Sequence, residues 1–313
     1  MPQPLPILLD RLTKSYGKTR GVHDIDLTVE RGEIFGFLGP NGAGKTTTIR
    51  VLIGLLRPTT GGARIFGRDC WSRPGRVHRE VAFIPGDLRL YEQLGVMEFL
   101  RFMARLHGGV RRGRIEGLAE RLELDTRRPI KHLSKGNRQK VGLVQALMHD
   151  APLLILDEPS SGLDPLMEVV FVQLLREERS AGRTIFLSSH NLSEVERICD
   201  RVAVIRDGTL VAVEQVEALK ANRVREMTVT FRQPIDPRAF EGDGIVMLER
   251  SDRRIRIQVR GDINPLIRML ARYDLQDLTF SEPSLEEVFL HYYQPAPAPA
   301  PALPPTPRER ASA

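Results

Sequence analysis

Gly39-Pro40-Asn41-Gly42-Ala43-Gly44-Lys45-Thr46 is the stretch on which the reading of this chain turns. A glycine, four residues and then Gly-Lys-Thr is a spacing that lets the backbone curl until successive N–H groups point inward at an anion. Lys45 then reaches the outer phosphates of a nucleotide, and the Thr46 hydroxyl is placed to ligate Mg²⁺. Gly39, Pro40, Asn41, Gly42, Ala43, Gly44, Lys45, Thr46 and Thr47 are therefore the expected phosphate contacts. The flanks agree. Glu33 to Leu38 reads as a buried strand, and Ile49, Leu52, Ile53 and Leu56 recur at helical spacing. The loop thus opens a helix whose positive N-terminus also favours phosphate.

Length and composition set the frame. The 313 residues predict about two domains. An apolar fraction of 41% and a charged fraction of 27% are ordinary for a globular protein. No apolar run nears the ~18 residues of a membrane span. Met1 to Pro6 has neither a basic region nor an apolar core, so no secretory signal is expected. Cys70 and Cys199 match no metal or redox spacing, which fits a reducing cytosol. The net charge of +6 is a small excess of 46 basic over 40 acidic residues. The densest basic cluster, Arg111, Arg112 and Arg114, has no interleaved aromatic residues, so no nucleic-acid partner is expected.

Apolar runs and helical segments alternate up to about residue 215, the pattern of an α/β domain with a largely parallel sheet. Further strands are predicted at Val81 to Ile84, Leu153 to Leu156, Thr184 to Ser188 and Val202 to Ile205. Asp207-Gly208 is a hairpin turn leading to Thr209 to Val213. Between Leu88 and Asp150 strands disappear. Val96, Phe99, Leu100, Met103 and Leu106 mark one amphipathic helix there, and a second runs from about Asn137 to Met148. A smaller unit follows, with half-buried strands around Met227, Val229 and Phe231 and around Ile255, Ile257 and Val259. Helices are predicted over Ile263 to Tyr273 and Leu285 to Tyr293, the second with Ser284 and Glu287 as a capping box. Residues 295–313 alternate proline and alanine and should be a solvated tail.

Four further elements carry chemistry. Leu153-Leu154-Ile155-Leu156-Asp157-Glu158 is an apolar strand delivering two carboxylates to its C-terminal edge, where ligands sit in open α/β sheets. Asp157 suits Mg²⁺, and Glu158, pointing elsewhere, can orient and deprotonate an attacking water. Ser134 and the N–H groups behind Gly136 form either a second anion cradle or a plain helix cap. His190, at the end of the Thr184 to Ser189 strand, could hydrogen-bond a γ-phosphate or that water. Ser161-Gly162-Leu163-Asp164 is a tight turn just beyond the carboxylates.

Taken together these elements resemble the ATPase subunit of ATP-binding cassette transporters, over residues 1–215. The resemblance implies an α/β fold, a P-loop NTPase (RecA-like) cassette over 1–218 with a helical subdomain at about 88–150, a small α+β accessory domain over 219–293 and a tail over 294–313. It names the elements Walker A, Walker B, signature, switch histidine and D-loop, and it makes Tyr16 the aromatic that stacks on adenine, a core tyrosine being the alternative. It implies ATP and Mg²⁺ as cofactors, and ATP hydrolysis with Lys45, Glu158 and His190 catalytic. A head-to-tail dimer is also implied, in which Ser134, Gly136 and Asp164 of one subunit complete the nucleotide site of the other. A separate membrane permease would be the partner, with the chain at the cytoplasmic face of the membrane. Two departures stand out. Gly86 occupies the place of a glutamine that holds Mg²⁺ or water, and Asp87 is expected to substitute for it as a metal ligand. Leu133-Ser134-Lys135-Gly136-Asn137, together with Pro283 to Phe289, looks like the drug-exporter subtype. A soluble cassette protein acting on ribosomes or nucleic acid is the alternative.

Overall fold

Every residue of Ile34–Leu38, Leu153–Asp157 and Thr184–Ser189 is buried. Continuous apolar runs of this kind are what a parallel sheet covered on both faces requires. The computed structural model describes residues 3–17, 19–221, 225–240, 245–259 and 263–281, and the chain divides into two units, Met1–Asn222 and Arg223–Ala313.

In the first unit those three runs are the centre of a six-stranded sheet. Its spatial order is Thr209–Gln215, Arg201–Arg206, Ile34–Leu38, Thr184–Ser189, Leu153–Asp157 and Val81–Ile84. All neighbours are parallel except the hairpin at Asp207-Gly208. Phe35 and Phe37 pack on Phe186, with ring centroids 6.0 Å and 5.5 Å apart. The register matters most for chemistry. Leu38 pairs with Ser189, and Asp157 with Ser188, so the phosphate loop, the two carboxylates and His190 all leave the sheet at one edge. The α/β P-loop architecture is the expected one.

A second sheet was not foreseen. Thr19–Val29, Ile7–Tyr16, Thr60–Ile65 and Arg68–Asp69 form an antiparallel layer. Its register slips between Leu9 and Leu12, Leu12 and Lys14, and Lys14 and Tyr16, and Arg11 and Asp24 take φ values of 42° and 50°. Each slip breaks the alternation of apolar and polar residues that would have revealed a strand.

Residues 88–150 carry helices Val96–Leu106, Arg114–Arg121 and Lys135–Leu147 and no strand of either sheet. Buried charge ties this insertion to the core. Arg114 donates to the Glu178 carboxylate, and also to the Leu147 carbonyl at 3.2 Å. Arg183 donates to the other Glu178 oxygen at 2.8 Å, and Arg121 grips Glu177 with two bonds of 2.5 and 2.8 Å. Glu178 and Arg183 are both buried. Removing one partner of a buried pair strands the other without solvent. Glu178→Ala should therefore lower unfolding stability by roughly 3 kcal/mol, read from the urea midpoint, whereas Glu177→Ala on the exposed pair should cost under about 1 kcal/mol.

The second unit has its own sheet, ordered Ile245–Arg250, Arg254–Val259, Arg225–Phe231 and Leu275–Ser281, all antiparallel. Met227, Val229, Phe231, Ile255 and Ile257 alternate into its core, where Phe231 meets Phe240 at 5.5 Å. The helix expected over Ile263 to Tyr273 is shorter, Asn264–Leu270. The helix expected over Leu285 to Tyr293, its Ser284 and Glu287 cap, and the tail lie outside the described residues.

Candidate active site

Gly44 makes the phosphate loop possible. Its φ is 113°, a conformation closed to other residues without strain, and a Cβ there would lie 2.6 Å from Val22 Cγ1. The hairpin turn braces the loop from behind: the Gly208 N–H donates to the Ala43 carbonyl at 3.0 Å, and the His23 N–H to the Gly208 carbonyl at 2.8 Å. Helix Lys45–Leu52 then begins with its free N–H groups facing the loop. Around its start lies a cleft of about 180 Å³, lined by Gly21, Pro40, Asn41, Gly42, Gly44, Lys45, Thr46, Thr47 and Glu158. Gly39 contributes through its carbonyl.

Lys45 is 6% exposed. Its ammonium donates to the Gly39 carbonyl at 2.6 Å and the Pro40 carbonyl at 3.3 Å, and it lies 3.1 Å from Glu158 Oε1. The other Glu158 oxygen, Oε2, meets His190 Nδ1 at 2.6 Å. Glu158 is thus a carboxylate held between two basic groups. Its backbone has φ 50°, a left-handed geometry that a non-glycine residue adopts only under restraint. The restraint is visible: the Glu158 N–H is shared between the Ser188 carbonyl at 3.2 Å and the Ser188 hydroxyl at 3.1 Å.

Asp157 is 1% exposed. Thr46 Oγ1 donates to its Oδ2 at 2.9 Å, and Ser188 Oγ to its Oδ1 at 2.5 Å. A hydroxyl and a carboxylate oxygen side by side at the mouth of a phosphate loop are the hard donors that Mg²⁺ takes alongside phosphate oxygens. The residues present therefore fit both the cation and a nucleotide's phosphates. His190 is placed by the strand end and by the helix that follows, Leu192–Ile198, which Asn191 caps through the Glu194 N–H at 3.3 Å. Burial pushes the Glu194 carboxyl up, against the lowering effect of hydrogen bonds from the Ser189 and Ser160 hydroxyls.

Asp87 is not brought to this centre. Its carboxylate is 77% exposed and sits 3.2 Å from Arg89 Nε. What this loop presents to Asp157 is Gly86, where an added Cβ would stand 3.3 Å from Oδ2. In this geometry Asp157 is approached by the Gly86 backbone and not by the Asp87 side chain. Tyr16 does not line the cleft; its ring is 43% exposed, with Lys14 Nζ 5.3 Å from the centroid.

Ser134, Gly136 and Asp164 also lie off the Lys45 cleft. Ser134 Oγ accepts the Asn137 N–H at 3.3 Å and caps helix Lys135–Leu147. Asp164 accepts the Met167 N–H at 3.0 Å and caps Pro165–Ser180. The first of these helices nevertheless seats on the loop that follows Glu158. Gln139 donates to the Pro159 carbonyl at 2.8 Å, and Lys135 to the Ser161 hydroxyl at 3.2 Å. A Cβ on Gly136 would lie 2.5 Å from the Gly162 carbonyl. Gly136→Ala should therefore shift the 159–162 loop and reduce ATP turnover by roughly tenfold to a hundredfold, while nucleotide affinity of the isolated chain stays within threefold or so. Steady-state hydrolysis and equilibrium binding separate the two. Sequence reasoning missed Gly21, Ser188 and Gly208, whose roles depend on the sheet register and on backbone approach.

The ABC transporter family profile matches residues 22–161. The bacitracin transport ATP-binding protein BcrA of Bacillus licheniformis is 34% identical over 294 residues, covering 89% of this chain and 94% of that protein. The Nod factor export ATP-binding protein I of Cupriavidus pinatubonensis is 38% identical and covers 67% of each chain. A solved ATP-binding subunit of an ABC transporter superposes with a TM-score of 0.63 at 33% identity, covering 68% of this chain and 91% of that one.

Proposed function

The chain belongs to the ABC transporter family as an ATP-binding, ATP-hydrolysing subunit, and from that premise we propose that it powers export of a hydrophobic or amphipathic compound through a separate membrane permease. The observation that carries the chemistry is the line Lys45–Glu158–His190, with contacts of 3.1 and 2.6 Å, beside the Thr46–Asp157–Ser188 relay. The glycine loop and Lys45 bind the phosphates. Thr46 and Asp157 are the residues that would hold Mg²⁺, which would supply positive charge to offset that of the phosphates. Glu158 takes the proton of the attacking water, and His190 steers that carboxylate.

Dimerisation is part of the same proposal. Ser134, Gly136 and Asp164 lie off the chain's own cleft, so a second copy facing it head to tail would use them to complete each nucleotide site. Closure around ATP and release after hydrolysis would then drive the permease. No described helix is long and apolar enough to cross a membrane, and the permease supplies that part, docking against the surface around Leu88 to Met103. The division of the chain after Asn222 supports assigning 1–218 to the cassette and 219–293 to an accessory domain; adenine stacking by Tyr16 is carried by the family resemblance. The test is co-purification from membranes in mild detergent with ATPase activity measured on the complex. An integral membrane partner supports transport; association with ribosomes or nucleic acid and no membrane partner overturns it. Ser134→Ala should lower turnover by roughly tenfold or more and leave nucleotide binding by the isolated monomer unchanged.

A further inference from the structure

Glu194 is a buried acid outside the Lys45–Glu158–His190 line. It is the third residue of helix Leu192–Ile198, where an acid ordinarily reaches back to the N–H of the capping residue. Here that N–H, of Asn191, goes instead to Ser189 Oγ at 2.9 Å. Glu194 is 4% exposed, and its Oε2 is hydrogen-bonded to the same Ser189 hydroxyl. Its Oε1 is buried with no partner at hydrogen-bond distance; the Ser160 hydroxyl bears on the carboxyl as a longer contact.

Ser189 joins several parts of the site. Its carbonyl accepts the Gly39 N–H at 3.2 Å, where the phosphate loop begins, and its backbone pairs with Leu38. The next residue is His190, whose Nδ1 meets Glu158. Ser160 stands two residues past Glu158. An acid that meets both serines therefore ties the strand end carrying His190 to the loop that leaves Glu158.

Counting protons fixes the state of that acid. Ser189 Oγ carries one proton and lies 3.3 Å from the Asn191 carbonyl while accepting the Asn191 N–H. A carboxylate at 194 would draw that proton to itself, away from the carbonyl. Its Oε1 would then be a buried anionic oxygen without a donor, which is costly. A carboxylic acid donates from Oε2 to Ser189 Oγ, and the hydroxyl then donates to the Asn191 carbonyl. The remaining Oε1 is a neutral carbonyl oxygen and far easier to bury. The surroundings agree. Burial holds the proton on, helped by the charges of Glu158 and Glu168 and opposed by the two serine hydroxyls. The Cys199 thiol also lies near. Among the described residues no basic side chain pairs with Glu194; Arg197, on the same helix, is taken by Glu168 at 3.1 Å.

We infer that Glu194 is a positioning residue for hydrolysis, a neutral acid whose proton closes the chain Glu194–Ser189–Asn191 and so fixes His190 against Glu158. The inference rests on the reading of His190 as the group that steers Glu158. Loss of the proton would put a second negative charge near Glu158 and break the chain at the Asn191 carbonyl. Turnover should therefore hold at lower pH and fall as pH rises through the raised pKa of Glu194.

ATP hydrolysis by the full chain is followed from neutral to alkaline pH for wild type, E194Q, E194A, S189A, S189A/E194A and H190A, beside thermal melts. E194A should lower kcat by roughly tenfold to a hundredfold, with KM for ATP within about threefold. E194Q, whose amide still donates to Ser189, should restore most of that loss at neutral pH. Wild type should lose turnover towards alkaline pH along a limb that E194Q lacks. S189A/E194A should be no slower than the worse single variant. The infrared difference between wild type and E194Q at neutral pH should contain the carbonyl band of a carboxylic acid. Wild-type turnover in E194A overturns the inference, as does E194Q as slow as E194A at an unchanged melt. A carboxylate band in place of the acid band, or one pH profile shared by wild type and E194Q, overturns it too. If E194A does not fold, the E194Q profile and the infrared band decide. If H190A turns over like wild type, the reading beneath the inference fails whatever Glu194 does. If H190A is slow and E194A is not, only the Glu194 assignment fails.

Discussion

Glu158→Gln should leave ATP binding intact and lower turnover by roughly 10²–10⁴-fold, the range for loss of a positioned general base. The amide has the shape of the carboxylate but cannot accept the water's proton. Its oxygen can still accept from His190 Nδ1, now 2.6 Å from Oε2, and the backbone bonds from Glu158 N–H to Ser188 remain. Geometry is therefore preserved while chemistry is removed. Charge moves in a favourable direction for binding. The wild-type carboxylate sits 3.1 Å from Lys45 Nζ and opposes an incoming triphosphate; neutralising it makes the cleft more positive by one unit. Nucleotide affinity should be equal to or tighter than wild type, and the proposed closed dimer, no longer opened by hydrolysis, should accumulate with ATP. Single-turnover hydrolysis, a fluorescent-nucleotide titration and size-exclusion chromatography with ATP and Mg²⁺ read the three quantities. Turnover within about threefold of wild type would remove Glu158 from the role of base.

What could be read from the sequence and what could not divide along physical lines. Ile34–Leu38, Leu153–Asp157 and Thr184–Ser189 announce themselves because a strand buried on both faces is apolar throughout. The loop from Gly39 to Thr46 carries its chemistry in local spacing. Glu158 and His190 could each be proposed from a strand end, but their contact across 2.6 Å comes from the register pairing Asp157 with Ser188, a long-range fact. The same holds for Ser188 as the hydroxyl shared by Asp157 and Glu158. The antiparallel layer was hidden because its strands are bulged. Asp87 could be proposed from type and position, which say nothing of direction: one residue past Gly86 the side chain faces solvent and Arg89. Gly136 shows the converse. Its need for hydrogen in place of a side chain is set by a carbonyl 26 residues away in sequence, that of Gly162.

Lys45→Ala should weaken ATP binding by roughly 30- to 150-fold, the loss of about 2–3 kcal/mol from charge-assisted bonds to phosphate, and should abolish measurable hydrolysis at millimolar ATP. Two effects add. Among the described residues the ammonium is the one cation lining the cleft, so its removal takes away a phosphate partner. It also leaves the Glu158 carboxylate facing the phosphates without its neighbour at 3.1 Å, turning a neutral pair into a repulsive charge. A folding defect predicts something different. Alanine is a good helix former, and the two carbonyls that lose a donor, Gly39 and Pro40, line or border the open cleft where water can replace it, so the melting temperature should shift by only a few degrees. Lys45→Arg sharpens the point. It keeps the charge but puts a larger planar fork into a position only 6% exposed, where the ammonium fits between two carbonyls and a carboxylate. Its affinity should fall between wild type and Lys45→Ala. Titration calorimetry with ATP and Mg²⁺, set beside thermal melts of the same samples, measures both. Near-wild-type affinity in the alanine variant at unchanged melting temperature would mean that the glycine loop alone holds the phosphates and that Lys45 serves only to brace it.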